Sequence, residues 1–268
     1  MNEVTNEREA VRLANVSKVF GTNSHLTTAV RDVTLSAFAG ELVLLLGPSG
    51  SGKTTLLTLM AGLIEPSEGS VLLFGSDVRE YCEDELQKLR ARRLGFIFQN
   101  FLLVDSLSVL ENISLVLQFA GKGKAAARSA ARGLLRQFAL ERFANAFPLR
   151  LSQGERQRVA IARAIANGAN LITADEPTAS LESGQGLVII ELLRSLAHEG
   201  NRGVIVASHD LRLVKFADRV VRLRDGAIER VDCGERLQPN SVESRWPTRG
   251  ESQEKIQADR GKWVVSHD

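Results

Sequence analysis

This chain lacks long apolar runs. In its 268 residues the longest, such as Leu42–Leu46, have the length of a strand, far from the roughly 18 residues that a membrane-spanning helix needs. That excludes a bilayer-crossing helix. Cysteine is scarce: Cys82 and Cys233 have no metal-ligand spacing and read as two ordinary reduced thiols. The N-terminal stretch MNEVTNEREAVRL mixes Glu, Asn and Arg where a signal peptide would need a basic end and then an apolar segment. A chain made and kept in a cytosol is expected. No charge of one sign dominates either, with 34 Lys and Arg against 32 Asp and Glu, so nothing announces a polyanion-binding surface and no nucleic-acid partner is expected. Aromatics are few, at 5%, yet 44% hydrophobic residues are ample for a buried core.

What is present is a change of period. Residues 11–20 and 29–38 alternate, carry β-branched side chains and flank the polar GTNSHLTT, which predicts an antiparallel strand pair. ELVLLLG is then a continuous apolar run too short for a helix, as expected of a strand buried on both faces, and TTLLTLMAGLI after the glycines predicts a helix. Strands are expected at 70–74, 94–98, 170–174, 203–207 and 219–224, and helices at 83–92, 153–167 and 186–198. This alternation points to an α/β fold with a parallel sheet. Residues 106–147 contain no strand-like run and predict a helical insertion. From 232 onward the composition turns polar, which suggests a weakly ordered extension, although both tryptophans, Trp246 and Trp263, lie in it.

The segment GPSGSGKT, Gly47–Thr54, follows the buried strand and precedes the helix, the context a phosphate-binding loop requires. Gly47, Gly50 and Gly52 let backbone N–H groups approach an anion closely, and Pro48, Ser49 and Ser51 complete the loop. Lys53 supplies a charge for β- and γ-phosphates, Thr54 a hydroxyl for Mg²⁺, and Thr55 lies in the first turn of a helix whose dipole favours the anion. LITADE, Leu171–Glu176, is an apolar strand ending in two acids. Asp175 suits the Mg²⁺ shell, directly or through water, and Glu176, one residue on, can orient and deprotonate the water that attacks a γ-phosphate.

In LSQGERQRVAIARAIA, Ser152 and Glu155 form an S-x-x-E capping box, so a helix should start there. A helix start is also an anion site. Gly154, which costs up to about 1 kcal/mol relative to Ala in a first turn, is not explained by capping. It suggests that something must approach the backbone. Since the 47–55 loop already surrounds one phosphate tail, the nucleotide of a second molecule is the natural candidate, with Gln153 beside it.

GPSGSGKTT, Gln99, LSQGE, LITADEPTASLE and SHD, in this order, resemble the ATP-binding cassette (ABC) ATPases over about residues 11–231. The resemblance implies a P-loop NTPase (RecA-like) parallel sheet with an antiparallel β subdomain and a helical subdomain at about 100–150. The ATPase domain is then expected to span 1–231, with the extension at 232–268. It also implies a head-to-tail homodimer of C2 symmetry, sandwiching two MgATP between one copy's 47–55 loop and the other's Ser152–Glu155. Gln99 would then touch Mg²⁺ and the attacking water, and His209 would contact the γ-phosphate and hold the water of Glu176. Phe20 would stack on adenine, with a core role the alternative, and Pro177–Leu181 would lie at the dimer seam. SHD recurs at Ser266–Asp268 without a preceding strand, which reads as coincidence.

LRARRLGFIFQNFLLVDSLSVLENI is similar to the branch with lipoprotein-release, macrolide-efflux and cell-division ATPases (the LolD, MacB and FtsE group). That resemblance implies a separate integral-membrane permease driven by ATP hydrolysis, and a place at the cytoplasmic face of the inner membrane. It leaves open a regulatory ATPase that signals to a membrane partner without transport, or a soluble ABC ATPase. Two departures stand out: Gln153 where the family usually has Gly, and Glu182 where it usually has Asp.

Overall fold

The computed structural model describes residues 9–22 and 25–234. Trp246, Trp263, the second SHD and nearly all of the C-terminal extension lie outside the described residues. β1 (Glu9–Phe20) and β2 (Thr27–Phe38) form an antiparallel pair, with Leu13 opposite Leu35 and Phe20 opposite Thr27. β3 (Leu42–Leu46) is followed by the 47–52 loop and α1 (Lys53–Met60). β4 (Glu68–Leu73) and the short β5 (Ser76–Asp77) complete a four-stranded antiparallel sheet of order β2-β1-β4-β5.

After α2 (Glu83–Arg93) comes β6 (Leu94–Ile97), then a helical lobe with α3 (Val109–Phe119) and α4 (Lys124–Gln137). α5 (Gln153–Ile165), β7 (Leu171–Asp175), α6 (Ser183–His198), β8 (Gly203–Ser208), β9 (Arg219–Arg224) and β10 (Ala227–Cys233) follow. The second sheet has the order β10-β9-β3-β8-β7-β6, parallel except for β10.

β3 shows why a continuous apolar run belongs at the centre. Val43 and Leu45 point into the core shared with the antiparallel sheet and α1, while Leu42, Leu44 and Leu46 point into the core under α6. Neither face meets water. The helical lobe has its own core, in which Ile113, Leu117, Ala131 and Leu135 pack against Val159 and Ala162 of α5.

Three details depart from the sequence expectation. The strand expected at 70–74 belongs to the antiparallel sheet rather than to the strand-helix alternation. Its Val71 and Leu73 alone are buried, the one-sided pattern of such a sheet, and Phe74 and Gly75, both at positive φ, turn it back into β5. The helix expected through Ile64 stops at Met60. Gly62 takes the left-handed conformation, and Leu63 N–H donates to Thr58 O, closing the helix end. β10 is an additional strand that runs two residues past 231. Its Asp232 is buried between Arg222 (Nε–Oδ2 2.9 Å) and Arg230.

Candidate functional site

In an open parallel sheet, ligands bind at the carboxyl ends of the strands. Here β3 ends in the 47–52 loop, β7 in Asp175 and Glu176, β8 in Ser208 and His209, and β6 shortly before Gln99. In the loop, Pro48, Ser49 and Gly50 are exposed while Gly47 and Ser51 are buried. Gly52 has φ +94° and lies so close to Ala29 O that a Cβ would sit 2.3 Å from it, so only glycine allows the loop to turn into α1 there. Thr55 is half-buried in the first turn of α1.

Lys53 Nζ donates to Gly47 O (2.8 Å) and Pro48 O (2.9 Å) and stands 3.9 Å from Glu176 Oε1. Burial pushes its pKa down, opposed by the charges of Glu176 and Asp175. Thr54 Oγ1 donates to Asp175 Oδ2 at 2.8 Å. Burial pushes the Asp175 carboxyl up, the Thr54 bond opposes this, and the neighbouring Glu176 charge adds to the rise. Asp175 Oδ1 is buried and, among the described residues, has no hydrogen-bond partner. An orphaned hard oxygen beside a phosphate-loop hydroxyl fits a Mg²⁺ site completed by phosphates and water.

Glu176 is held from three sides. Its N–H donates to Ala207 O (2.9 Å), Ser208 Oγ donates to Oε2 (3.2 Å), and His209 Nδ1 lies 2.9 Å from Oε1. Its φ of +46° is sterically disfavoured for a residue with a Cβ, and such strain concentrates where a side chain must be aimed. Ser208 was not among the residues singled out from the sequence, although it opens the SHD triplet.

Ser152 caps α5, accepting from Glu155 N–H (3.3 Å) while Glu155 Oε2 accepts from Ser152 N–H (2.9 Å). Glu155 also pairs with Arg142 at 3.5 Å. Ser152 and Gln153 are exposed, and among the described residues the side chains of Ser152 and Glu155 bond one another and Arg142 but not the 47–55 loop. A Cβ at Gly154 would lie 2.6 Å from Gln185 Oε1 on α6, the end of an exposed, flexible side chain that can move aside, so packing within the chain does not by itself require the glycine.

Phe20 is 44% exposed, with Lys18 Nζ 5.3 Å from its ring centre, which removes the core alternative. It faces Thr27, two residues before the Ala29 that touches the phosphate loop. Gln99 is exposed beyond β6, next to the strand that carries Asp175. Glu182 is the N-cap residue of α6 but makes no capping bond; an Asp, one methylene shorter, is a favoured cap there.

Sheet, loop and carboxylates together define a P-loop nucleoside triphosphate hydrolase. The family pattern described as ABC transporter matches residues 30–179. The ABC transporter ATP-binding protein MJ0796 of Methanocaldococcus jannaschii is 41% identical over 224 residues, 82% of this chain and 95% of that protein. The macrolide export ATP-binding/permease protein MacB of Agrobacterium fabrum is 37% identical over 218 residues, 81% of this chain but 34% of MacB. A dimeric structure of MJ0796 superposes with a TM-score of 0.78 at 39% identity over 85% of this chain and 99% of that one. A second structure of that cassette, a dimeric post-hydrolysis state with ADP and Pi, gives the same score. This chain belongs to the ABC transporter family, as an ATP-binding ATPase subunit.

Proposed function

We propose that the chain works as a head-to-tail homodimer that closes on two ATP molecules and drives an integral-membrane permease from the cytoplasmic face. The carrying observation is the convergence of Lys53, Thr54, Asp175, Glu176 and His209 at the carboxyl ends of β3, β7 and β8, with Ser152 and Gln153 exposed elsewhere. Loop 47–55 cradles the phosphates through backbone N–H groups, and Lys53 turns from its loop carbonyls to the β- and γ-phosphates. Ser152–Glu155 of the second copy closes the site at a helix N-terminus. The dimer reading is supported by the dimeric MJ0796 cassette.

Thr54, Asp175 and Gln99 would hold Mg²⁺, which supplies neutralisation of phosphate charge. Glu176 takes the proton of the attacking water, and His209 and Ser208 fix its carboxylate. With Glu176 ionised, His209 carries its proton on Nδ1. Phe20 stacks on the adenine at the rim.

A permease partner is supported by MacB, which is named for both ATP-binding and permease functions and of which this chain matches a third. It is supported too by an apolar groove between the sheet and the helical lobe, lined by Ala61, Leu63, Arg90, Phe96, Val116 and Phe119. The groove suits a short amphipathic helix of such a partner.

Glu176→Gln keeps the size of the side chain but removes the base. Its kcat should fall about 100-fold or more with ATP affinity within a few-fold of wild type. Steady-state hydrolysis alongside nucleotide-binding titrations checks this, and a wild-type kcat would refute the base assignment.

A further inference from the structure

Between β6 and α3, residues 98–108 have neither helix nor strand, yet the segment is tied down at two points. At its far end, Asn112 of α3 is buried and bonds Val104 N and O, Leu107 O and Ser108 O. Near Gln99, two successive non-glycine residues take the left-handed conformation, Phe101 at φ +60° and Leu102 at +44°. Side chains with a Cβ resist that conformation, so a pair of them needs an external hold.

Arg163, on α5, supplies it. Its Nη2 donates to Phe101 O at 2.7 Å and its Nη1 donates to Leu102 O. Among the described residues no carboxylate pairs with Arg163, so this half-buried guanidinium spends its fork on two backbone carbonyls. Arg156, two turns earlier, stands 5.5 Å from the Phe101 ring. α5 can lie this close because β6 has Gly95, where a Cβ would meet Ala164 O at 2.2 Å. The helix that begins at Ser152 is thus fastened to the segment that begins at Gln99.

We propose that Arg163 is a positioning residue for ATP hydrolysis: by bridging the carbonyls of Phe101 and Leu102 it fixes the left-handed pair that sets where Gln99 stands. This rests on the reading of Gln99 given above. Among the described residues Arg163 bonds the backbone of Phe101 and Leu102 and none of the 47–55 loop, so it governs turnover and leaves ATP affinity alone. Lysine, with one compact ammonium, serves only in part.

The test is steady-state ATPase kinetics with MgATP on the full chain for Arg163→Ala, Arg163→Lys, Gln99→Ala and two changes at the exposed Leu102. Arg163→Ala should lower kcat about tenfold or more with KM within about twofold, and Arg163→Lys should fall between it and wild type. Leu102→Gly in the Arg163→Ala background should recover most of kcat, because glycine takes the left-handed conformation without a clamp. Leu102→Val, with Arg163 intact, should lower kcat by disfavouring that conformation. This variant decides the matter even if Arg163→Ala fails to fold; an unchanged kcat there overturns the proposal. So does loss in Arg163→Ala that Leu102→Gly does not rescue, which marks a merely structural role. Gln99→Ala losing activity while Arg163→Ala keeps it overturns the clamp alone, whereas full activity in Gln99→Ala overturns the reading of Gln99 on which the clamp depends.

Discussion

Gly154 carries a packing constraint and an electrostatic setting at once. It lies in the first turn of α5, where backbone N–H groups are free for an anion, and its open side is closed by the Gln185 amide. Because that amide ends a flexible side chain and alanine is the better helix former by up to about 1 kcal/mol, Gly154→Ala should leave stability within about 1 kcal/mol of wild type, and Gln185→Ala should relieve whatever strain the new methyl meets. Urea denaturation of the two single variants and the double variant should give a coupling of about 0.5 kcal/mol or more. Zero coupling would mean the amide does not press on the methyl. At this scale the loop and both strand-end acids were legible because fixed local spacing betrays them, and His209 only through the resemblance to the family. Gln185 and Arg163 were not. The partners of Arg163 lie 61 and 62 positions away, and no local period marks such a contact.

Elements announced themselves where burial was one-sided or complete. β3, β7 and β8 read as strands because every residue of each is buried. β4 was placed in the wrong sheet because five or six residues cannot reveal which neighbours they pair with. β10 was missed although Asp225-Gly226, both at positive φ, is a strong hairpin signal; its exposed, charged outer face hid the alternation. The strand is not an ornament. The buried Asp232 answers the partly buried Arg222, so Asp232→Ala should destabilise the chain by about 2 kcal/mol, measured by chemical denaturation. A loss below about 1 kcal/mol would show that water already satisfies Arg222.

For the whole molecule, the folded chain supplies one half of each proposed site. Lys53, Glu176 and His209 gather on the 47–55 loop, while Ser152 and Gln153 stand exposed at the start of α5. In the proposed dimer the second half comes from another copy, a matter of symmetry that no residue spacing within one chain can state. The most direct test is the mass of Glu176→Gln in solution by light scattering, with MgATP and then with MgADP. With ATP the mass should rise from 29.3 kDa to twice that value and persist, and with ADP it should return to the single chain. A single-chain mass under saturating ATP would contradict the two-copy site.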